Sequence, residues 1–347
     1  MRILVTGHHG YIGSVLAPTL REAGHDVVGV DTFFYRGCDF GTAPDIPSLE
    51  ADVRDLGPRD LEGFDAVVHL AALSNDPVGD LDPELTYEIN LRGSVSLARA
   101  AKAAGVRRFV FASSCSMYGA SGSDALLDES APLRPLTPYA ESKVRAEKEV
   151  VALAGEGFAP VFMRNATVYG VSPRLRLDVV LNNLVAWAHT TGAIRLQSDG
   201  SAWRPLVHVR DLSRATLVLL DAPLELVTGQ AFNIGSPEQN YRIRELAEIV
   251  HDCLPECEVT FAGGVSPDPR SYRVRFSKFA ETFPEFRFEW TAERGVKELA
   301  RAYEELGLTL EEFDVTGRFT RLAQLRRLLD TGALDRDLRW RSRSDGS

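Results

Sequence analysis

Tyr139 and Lys143 are the residues of this sequence whose types and spacing best suit proton chemistry. They stand four positions apart, and residues at i and i+4 of a helix share one face, with Cβ atoms about 5–6 Å apart. A neighbouring ammonium favours the phenolate, which lowers the pKa of a tyrosine from about 10 towards neutral pH. The pair predicts a general base, although the same spacing by itself also fits an ordinary solvated helix face.

A glycine-rich turn follows the first apolar segment, Ile3–Thr6, and precedes a predicted helix over Tyr11–Ala23. Its glycines are Gly7, Gly10 and Gly13. They let the backbone turn tightly and approach a diphosphate, while the free N–H groups at the helix start attract the phosphates. The order of strand, glycine turn and helix predicts a dinucleotide-binding loop.

Asp31 follows the second predicted strand, Asp26–Val30, at the distance from the glycines expected of a ribose-binding acid. Its carboxylate would accept hydrogen bonds from the adenosine ribose and repel the extra 2′-phosphate of NADP. The sequence therefore favours NAD. Arg36 keeps NADP open, because an arginine at this place is able to bind that phosphate.

Short apolar segments alternate with helical patterns through the first half of the chain. This alternation predicts an α/β fold with a Rossmann-type, doubly wound parallel sheet. The further predicted strands are Ala66–Leu70, Phe109–Ala112 and Pro160–Met163, and the further predicted helices are Pro83–Ala104 and Tyr139–Ala154.

The alternation loosens after about Gly170. We predict an NAD-binding Rossmann domain over residues 1–170 and a smaller, mainly substrate-binding α/β region over residues 171–347, interleaved with it and joined without a linker. Its predicted elements are helices at Leu177–His189, Asp211–Leu220 and Ile243–Cys253, strands at Leu206–Val209 and Ala231–Ile234, and a helical stripe of Phe319, Leu322, Leu325, Leu328 and Leu329.

Composition excludes several classes of protein. The 347 residues carry a net charge of −10, which argues against a nucleic-acid binder with its basic face. No apolar run approaches the roughly 20 residues of a membrane span, and the chain enters its first strand without a signal peptide, so we expect a cytoplasmic protein. No metal site is predicted, because the cysteines match no zinc spacing and fit free thiols instead. They are Cys38, Cys115, Cys253 and Cys257.

Taken together, the motifs resemble those of the extended short-chain dehydrogenase/reductase family, in its nucleotide-sugar epimerase/dehydratase branch, with a likeness to UDP-glucose 4-epimerases. The resemblance extends from Met1 to about Phe279. The motifs that carry it are Thr6-Gly7-x-x-Gly10-x-x-Gly13, Asp52-Val53, His69-Leu70-Ala71-Ala72, Asn90-x-x-Gly93, Ser113-Ser114-Cys115-Ser116-Met117-Tyr118-Gly119 and Tyr139-x-x-x-Lys143.

The resemblance implies roles for individual residues. Ser114 would complete a catalytic triad with Tyr139 and Lys143. The residues implied for NAD are Gly7, Gly10, Tyr11, Ile12, Gly13, Asp31, Asp52, Val53, Leu70, Ala71, Ala72, Asn90, Tyr139 and Lys143. Those implied for a nucleoside-diphosphate sugar are Ser114, Ser116, Thr167, Asn183, Arg204 and Arg270.

The sequence departs from this branch at two places. Sugar dehydratases carry an Asp-Glu pair where Cys115 and Ser116 stand here, so the acid and base of 4,6-dehydration are missing. Cys115 is expected to be a packed, inert thiol rather than an acid/base group. Thr167 replaces the usual asparagine and has fewer hydrogen-bonding groups.

The leading hypothesis is a nucleotide-sugar 4-epimerase that oxidises C4 transiently with NAD kept bound. The alternatives are an NAD(P)-dependent 4-ketoreductase, a 4,6-dehydratase and, least favoured, a nucleotide-binding scaffold without activity. The resemblance also implies a homodimer formed through the helices predicted at Pro83–Ala104 and Tyr139–Ala154.

Overall fold

A computed structural model describes residues 1–43, 45–74, 76–79, 82–120, 125–261 and 270–341. In chain order its strands are β1 (Arg2–Thr6), β2 (Asp26–Asp31), β3 (Ser48–Glu50), β4 (Ala66–His69), β5 (Arg108–Ser114), β6 (Leu126–Leu127), β7 (Ala159–Asn165), β8 (Thr167–Tyr169), β9 (Ala193–Leu196), β10 (Trp203–His208), β11 (Ala231–Ile234), β12 (Asn240–Arg242), β13 (Glu258–Phe261) and β14 (Arg273–Val274).

The helices complete the secondary structure of the described residues. They are α1 (Gly13–Glu22), α2 (Asp76–Gly79), α3 (Pro83–Thr86), α4 (Ser94–Ala103), α5 (Pro138–Val151), α6 (Val180–Thr191), α7 (Val209–Asp221), α8 (Leu224–Val227), α9 (Ile243–Cys253), α10 (Ser277–Thr282), α11 (Ala292–Leu306) and α12 (Arg321–Asp330). The short 3₁₀ turns are Pro58–Leu61, Cys115–Tyr118 and Pro237–Gln239, and the π-helical segments are Tyr87–Gly93 and Glu311–Val315.

The centre of the fold is a seven-stranded sheet in the order β11-β7-β5-β4-β1-β2-β3. Every neighbouring pair in it is parallel. The predicted doubly wound parallel sheet is therefore confirmed. Strand β11, from the second half of the chain, pairs with β7 and forms one edge of this sheet, so the chain beyond residue 170 also builds the nucleotide-binding layer.

Alternate residues of the central strands face opposite helix layers. In β1, Ile3 and Val5 are buried in a cluster with residues of α1 and α7, whereas Leu4 lies in a second cluster with residues of α4 and α5. Side chains of a strand alternate between faces, and a sheet covered on both sides needs apolar residues at every position. This explains the unbroken apolar run at the start of the sequence.

A second body of structure packs beside the carboxyl ends of the sheet. Strands β8, β10 and β12 form a three-stranded sheet, and a separate core joins α6, α9 and α11. Helix α11 was not predicted from the sequence, although its buried residues Ala292, Val296, Leu299 and Tyr303 repeat at helical spacing. The small sheet matters for the site because β10 carries Arg204 and β8 begins at Thr167.

The chain returns at its carboxyl end to the amino-terminal half of the fold. Leu325 of α12 and Leu338 beyond it are buried in one cluster with Phe34, which follows β2. The predicted helical stripe is wrong at its first position, because Phe319 precedes the helix and packs in the core of α6 and α11. Phe319 lies within a turn from Gly317 (φ 59°) to Thr320, and α12 begins after this turn.

The helix predicted at Pro83–Ala104 is present with an irregular middle. Its central part, Tyr87–Gly93, is π-helical and lies between α3 and α4. π-Helical turns of this kind are frequent beside functional sites. This one carries Asn90.

Candidate active site

A cavity of about 600 Å³ opens at the carboxyl ends of the central strands. Crevices at this edge of an open parallel sheet are where nucleotides bind. All but one of the predicted site residues line it: Gly7, Gly10, Tyr11, Ile12, Gly13, Asp31, Asp52, Val53, Leu70, Ala71, Ala72, Ser114, Ser116, Tyr139, Lys143, Thr167, Asn183, Arg204 and Arg270. The exception is Asn90.

The glycine loop between β1 and α1 has no room for side chains at Gly7 and Gly13. Gly7 adopts φ 73°, and a Cβ there would lie 2.8 Å from the backbone nitrogen of Ala71. A Cβ on Gly13 would lie 2.2 Å from the carbonyl oxygen of Gly7. The loop thus brings backbone to the cavity wall where α1 begins, and this cradle fits the diphosphate of NAD.

Asp31 ends β2 at the cavity wall. Its carboxylate accepts hydrogen bonds from the backbone N–H groups of His9 (3.0 Å) and Phe33 (2.8 Å). Burial raises the pKa of Asp31, and these two hydrogen bonds oppose the rise. Arg36 does not line the cavity; it pairs with Glu50 at 2.7 Å on the surface. Arg36, the residue that could have bound the 2′-phosphate of NADP, thus lies in a surface ion pair outside the cavity.

Asp52 and Val53 line the cavity next to Asp31. The Asp52 carboxylate receives the guanidinium of Arg54 at 2.6 Å and lies 3.4 Å from that of Arg339. Burial would raise the pKa of Asp52, but the hydrogen bonds from Arg54 hold it below its ordinary value. The loop that carries Asp52 and Val53 is therefore fixed by ion pairs.

Asn90 supports the cavity from behind rather than lining it. It is fully buried, and its amide holds both backbone groups of Leu73: the N–H at 2.8 Å and the carbonyl at 3.1 Å. Leu73 follows Leu70–Ala72, so Asn90 fixes the path of a segment that does line the cavity. This is an indirect role, consistent with its place in a π-helical turn.

Lys143 is almost fully buried beneath the cavity. Its Nζ donates a hydrogen bond to the carbonyl oxygen of Ala112 in β5 (2.8 Å) and lies 4.6 Å from the ring centre of Phe111. The Tyr139 ring centre is 5.9 Å from the same nitrogen. Burial lowers the pKa of Lys143 to about 8, with Glu147 opposing the shift. At neutral pH the ammonium form still predominates.

The sheet itself brings Ser114 to this pair. Ser114 ends β5, and its hydroxyl accepts the N–H of Ser116 at 3.1 Å while donating to the Ser116 hydroxyl at 2.9 Å. Both serines line the cavity, whereas Cys115 between them is fully buried and its Sγ lies 3.1 Å from the carbonyl oxygen of Arg164. The backbone forms a 3₁₀ turn at Cys115–Tyr118, and this turn directs the side chains of Cys115 and Ser116 to different sides. Burial raises the pKa of the Cys115 thiol well above its ordinary value.

The other end of the cavity is built by the small sheet. In β10, Leu206 lies opposite Thr167 of β8, and Arg204 on the same strand is buried. The Arg204 guanidinium donates to the backbone oxygen of Arg270, and Asn183 of α6 donates its amide to Leu177 O at 2.9 Å. Polar donors from three separate segments thus face one volume.

Among the cavity residues that were not predicted as site residues, three are polar or charged side chains of particular interest: Asn165, Asp178 and Arg321. The buried Asn165 ends β7, and its Oδ1 has no hydrogen-bond partner within the part of the chain that the structure describes. Asn165 stands two residues before Thr167, which was predicted to bind substrate, and this position could have marked it as a site residue. Asp178 forms an ion pair at 2.9 Å with the guanidinium of Arg176, which also lines the cavity. The third residue, Arg321, had no local signal at all.

Within the described ranges, no three His, Cys, Asp or Glu side chains gather into a group that could hold a metal ion. All four cysteines are free thiols. Of the helices that the structure describes, none has both the length and the apolar character needed to cross a membrane.

Comparison with known proteins relates this geometry to a family. The model of the NAD dependent epimerase/dehydratase family matches residues 3–235. The UDP-glucose 4-epimerase of Corynebacterium glutamicum is 30% identical over 268 residues, which cover 73% of this chain and 80% of that protein. The UDP-glucose 4-epimerase of Lactobacillus helveticus is 31% identical over 274 residues, covering 72% of this chain and 82% of that protein.

Solved structures share the fold at similar identity. MoeE5 in complex with UDP-glucuronic acid and NAD superposes with a TM-score of 0.76 at 26% identity, covering 88% of this chain and 99% of that one. The dTDP-glucose 4,6-dehydratase DesIV of Streptomyces venezuelae, with NAD and TYD bound, gives 0.75 at 27% identity, covering 88% and 97%. Both of these solved structures hold NAD. The relatives found by sequence are epimerases and one of the solved structures is a dehydratase, so the relatives differ in reaction.

Proposed function

Since this chain belongs to the NAD dependent epimerase/dehydratase family and has NAD as its cofactor, we propose that it is a nucleotide-sugar 4-epimerase. In this reaction C4 of the sugar loses its hydroxyl proton and a hydride, and then regains both with the opposite configuration. The proposed catalytic residues are Ser114, Tyr139 and Lys143.

The distribution of carboxylates in the cavity carries this proposal. Only three of the described residues that line it are acidic: Asp31, Asp52 and Asp178. Asp31 ends β2, Asp52 follows β3, and Asp178 is paired with Arg176. Dehydration needs an acid for the leaving hydroxyl and a base for the neighbouring C–H. The described residues supply no carboxylate for those steps beside Ser114.

The proton chemistry of epimerisation needs only the groups that are present. Tyr139 as phenolate takes the proton of the C4 hydroxyl and later returns it. Lys143 is held as an ammonium by Ala112 O, and its charge stabilises that phenolate. The Ser114 hydroxyl can rotate from Ser116 towards the sugar oxygen and hold it in line. Bound NAD supplies the hydride acceptor.

Substrate binding is proposed for the opposite end of the cavity. Arg204, Arg270 and Asn183 offer guanidinium and amide donors suited to a nucleoside diphosphate. The Oδ1 of Asn165, which no described residue hydrogen-bonds, offers an acceptor for a bound hydroxyl or amide. In a chain of net charge −10, such a cluster concentrates positive potential locally.

The direct test is incubation with a panel of UDP-, GDP-, CDP- and dTDP-sugars, with products identified by mass spectrometry and NMR. A 4-epimerase converts one of them without added NAD and without net oxidation. Stoichiometric consumption of added NADH or NADPH would indicate the ketoreductase instead, and loss of water from the sugar would indicate the dehydratase.

The matched variants for this test are Tyr139→Phe and Tyr241→Phe. Tyr139→Phe removes only the acid/base oxygen and should lower kcat by about 10²–10⁴. Tyr241 of β12 does not line the cavity, so its variant should keep full activity. Equal activity of Tyr139→Phe and the unmodified protein on every sugar would contradict the proposal and favour a binding scaffold.

We further propose that the active form is a homodimer. The helix segments proposed for its interface, Pro83–Ala104 and α5, pack together and are joined by the hydrogen bond from Tyr87 to Glu141 (2.8 Å). Size-exclusion chromatography with light scattering should give twice the chain mass. A monomer at all concentrations would exclude this state.

A further inference from the structure

Arg321 is a buried cation in the wall of the cofactor cavity. It begins α12, near the carboxyl end of the chain, and only 2% of its surface is exposed. It lines the cavity together with Asp31 and Tyr35. The family model ends at residue 235, so this residue lies well outside the segment that defines the family.

The guanidinium has few direct polar contacts, although the carboxylates of Asp31 and Asp178 act on it at longer range. One nitrogen donates to the backbone oxygen of Arg174 at 2.9 Å, and the group stacks over the ring of Tyr35 at 4.0 Å. Among the described residues no carboxylate forms an ion pair with it. Other buried arginines have one: Arg164 binds Glu147 at 2.8 Å, and Arg176 binds Asp178 at 2.9 Å.

Burying a guanidinium without an ion pair destabilises the folded protein unless a bound anion neutralises the charge. Desolvation of a cation is repaid only by a partner of opposite charge and by hydrogen bonds to its remaining donors. A guanidinium has five N–H groups, and one of those on Arg321 binds protein. The cavity is therefore where its partner would be expected.

The surrounding contacts tie this arginine to the adenosine side of the cavity. Gln324 of α12 donates to the carbonyl oxygen of Phe34 at 2.8 Å, and the indole of Trp340 donates to that of Thr32 at 2.6 Å. Arg339 lies 3.4 Å from the carboxylate of Asp52. The segment 321–340 thus bridges the loop after Asp31 and the loop at Asp52.

We propose that Arg321 binds the diphosphate of NAD and is a cofactor-positioning residue contributed by the carboxyl-terminal helix. The two phosphates are the anionic groups of NAD. The carboxylate of Asp31, at the same side of the cavity, disfavours the additional 2′-phosphate of NADP. This inference rests on the cofactor and not on the proposed epimerase reaction.

The test is calorimetric titration of cofactor-free, full-length protein with NAD, ADP-ribose and adenosine. Arg321→Gln should weaken binding of NAD and of ADP-ribose by about ten- to a hundredfold, the usual effect of losing a charge-assisted contact. Adenosine lacks the diphosphate, so its affinity should not change. Arg326→Gln is the matched control, because Arg326 is an exposed arginine of the same helix.

A merely structural role predicts a different pattern. It would lower the thermal stability of the cofactor-free protein and weaken adenosine as much as ADP-ribose, and either result would overturn the proposal. So would unchanged NAD affinity in Arg321→Gln, or weakened UDP binding to NAD-loaded protein with NAD affinity intact. In the last case the anion would belong to the substrate.

A measurement on the unmodified protein covers the case in which Arg321→Gln does not fold. Hydrogen–deuterium exchange in α12 should slow when ADP-ribose is added and respond less to adenosine at equal saturation. Equal protection by both ligands would contradict a contact to the diphosphate.

Discussion

The ammonium nitrogen of Lys143 lies 5.9 Å from the ring centre of Tyr139, one helical turn away. The distance is set by two independent constraints. Helix α5 fixes the spacing of the two residues along one face, and the carbonyl oxygen of Ala112 in β5 anchors the ammonium at 2.8 Å. The sheet therefore orients the cation that is proposed to stabilise the Tyr139 phenolate.

Lys143 should destabilise the cofactor-free protein in a pH-dependent way. Its pKa is about 8 in the folded protein, below the 10.5 of a solvated lysine, so burial penalises the charged form. The penalty is complete below about pH 8, fades between about 8 and 10.5, and vanishes above that range, because there both states are neutral. Its full size is about 3 kcal/mol.

Urea unfolding of Lys143→Met provides the measurement. At pH 7 the variant should have a higher free energy of unfolding than the unmodified protein, and the difference should shrink at pH 10. Lys148→Met on the exposed face of the same helix is the control and should show no such trend. A difference that is constant with pH would mean that Lys143 is not buried as a cation. Activity of Lys143→Met should fall despite the gain in stability.

Cys115 should be dispensable for catalysis. The thiol is fully buried, its pKa is raised well above the ordinary value by burial, and Ser116 rather than Cys115 lines the cavity. Cys115→Ala should keep kcat within about twofold and cost about 1 kcal/mol of stability, typical of a small buried truncation. Steady-state kinetics and urea unfolding check both values. A hundredfold loss of kcat in a stably folded variant would mean that the Cys115 thiol acts as an acid or base in the reaction.

Asp31 should determine the choice of NAD over NADP. Replacing it by Asn keeps one carbonyl acceptor for the N–H groups of His9 and Phe33, but removes the charge that repels a 2′-phosphate. Affinity for NAD should fall by about tenfold, and the ratio of NADP to NAD affinity should rise by more than that. Titration of Asp31→Asn with both cofactors measures this ratio, with the exposed Asp45→Asn as control. An unchanged ratio would place the ribose elsewhere.

The placement of most candidate site residues at the cavity was predictable from sequence because short segments encode it. The positions of the glycine turn, of Asp31 and of the Tyr139–Lys143 pair each depend on one strand end or one helix face. Asn90 is a partial case: its motif was recognisable, but its hydrogen bonds to Leu73 depend on a π-helical turn, which the spacing of apolar residues does not reveal.

Long-range packing set the limit of prediction. Arg321 reaches the cavity because the chain returns across almost its full length to Phe34, and no local pattern marks that return. Strand β11 pairs with β7 although they belong to different predicted halves. Asn165 could have been suspected from its neighbour Thr167, but only the three-dimensional structure shows that its Oδ1 has no hydrogen-bond partner among the described residues.

Ser114 and Ser116 should contribute unequally to catalysis although they are hydrogen-bonded to each other. The Ser114 hydroxyl accepts the Ser116 N–H at 3.1 Å and donates to the Ser116 hydroxyl at 2.9 Å. The backbone contact survives any change at Ser116, so Ser114 keeps its orientation in Ser116→Ala. We expect Ser114→Ala to lower kcat by about a hundredfold, as for loss of a hydrogen bond made in the transition state, and Ser116→Ala to lower it by less than tenfold.

The double variant separates the two roles. If Ser116 acts only by orienting the Ser114 hydroxyl, Ser116→Ala should have no further effect once Ser114 is alanine, because coupled residues are not additive. Both losses should appear in kcat with NAD affinity unchanged. Independent, multiplicative losses would instead mean that Ser116 contacts the sugar itself. A larger loss from Ser116→Ala than from Ser114→Ala would reverse the assignment and move the catalytic hydroxyl to the 3₁₀ turn.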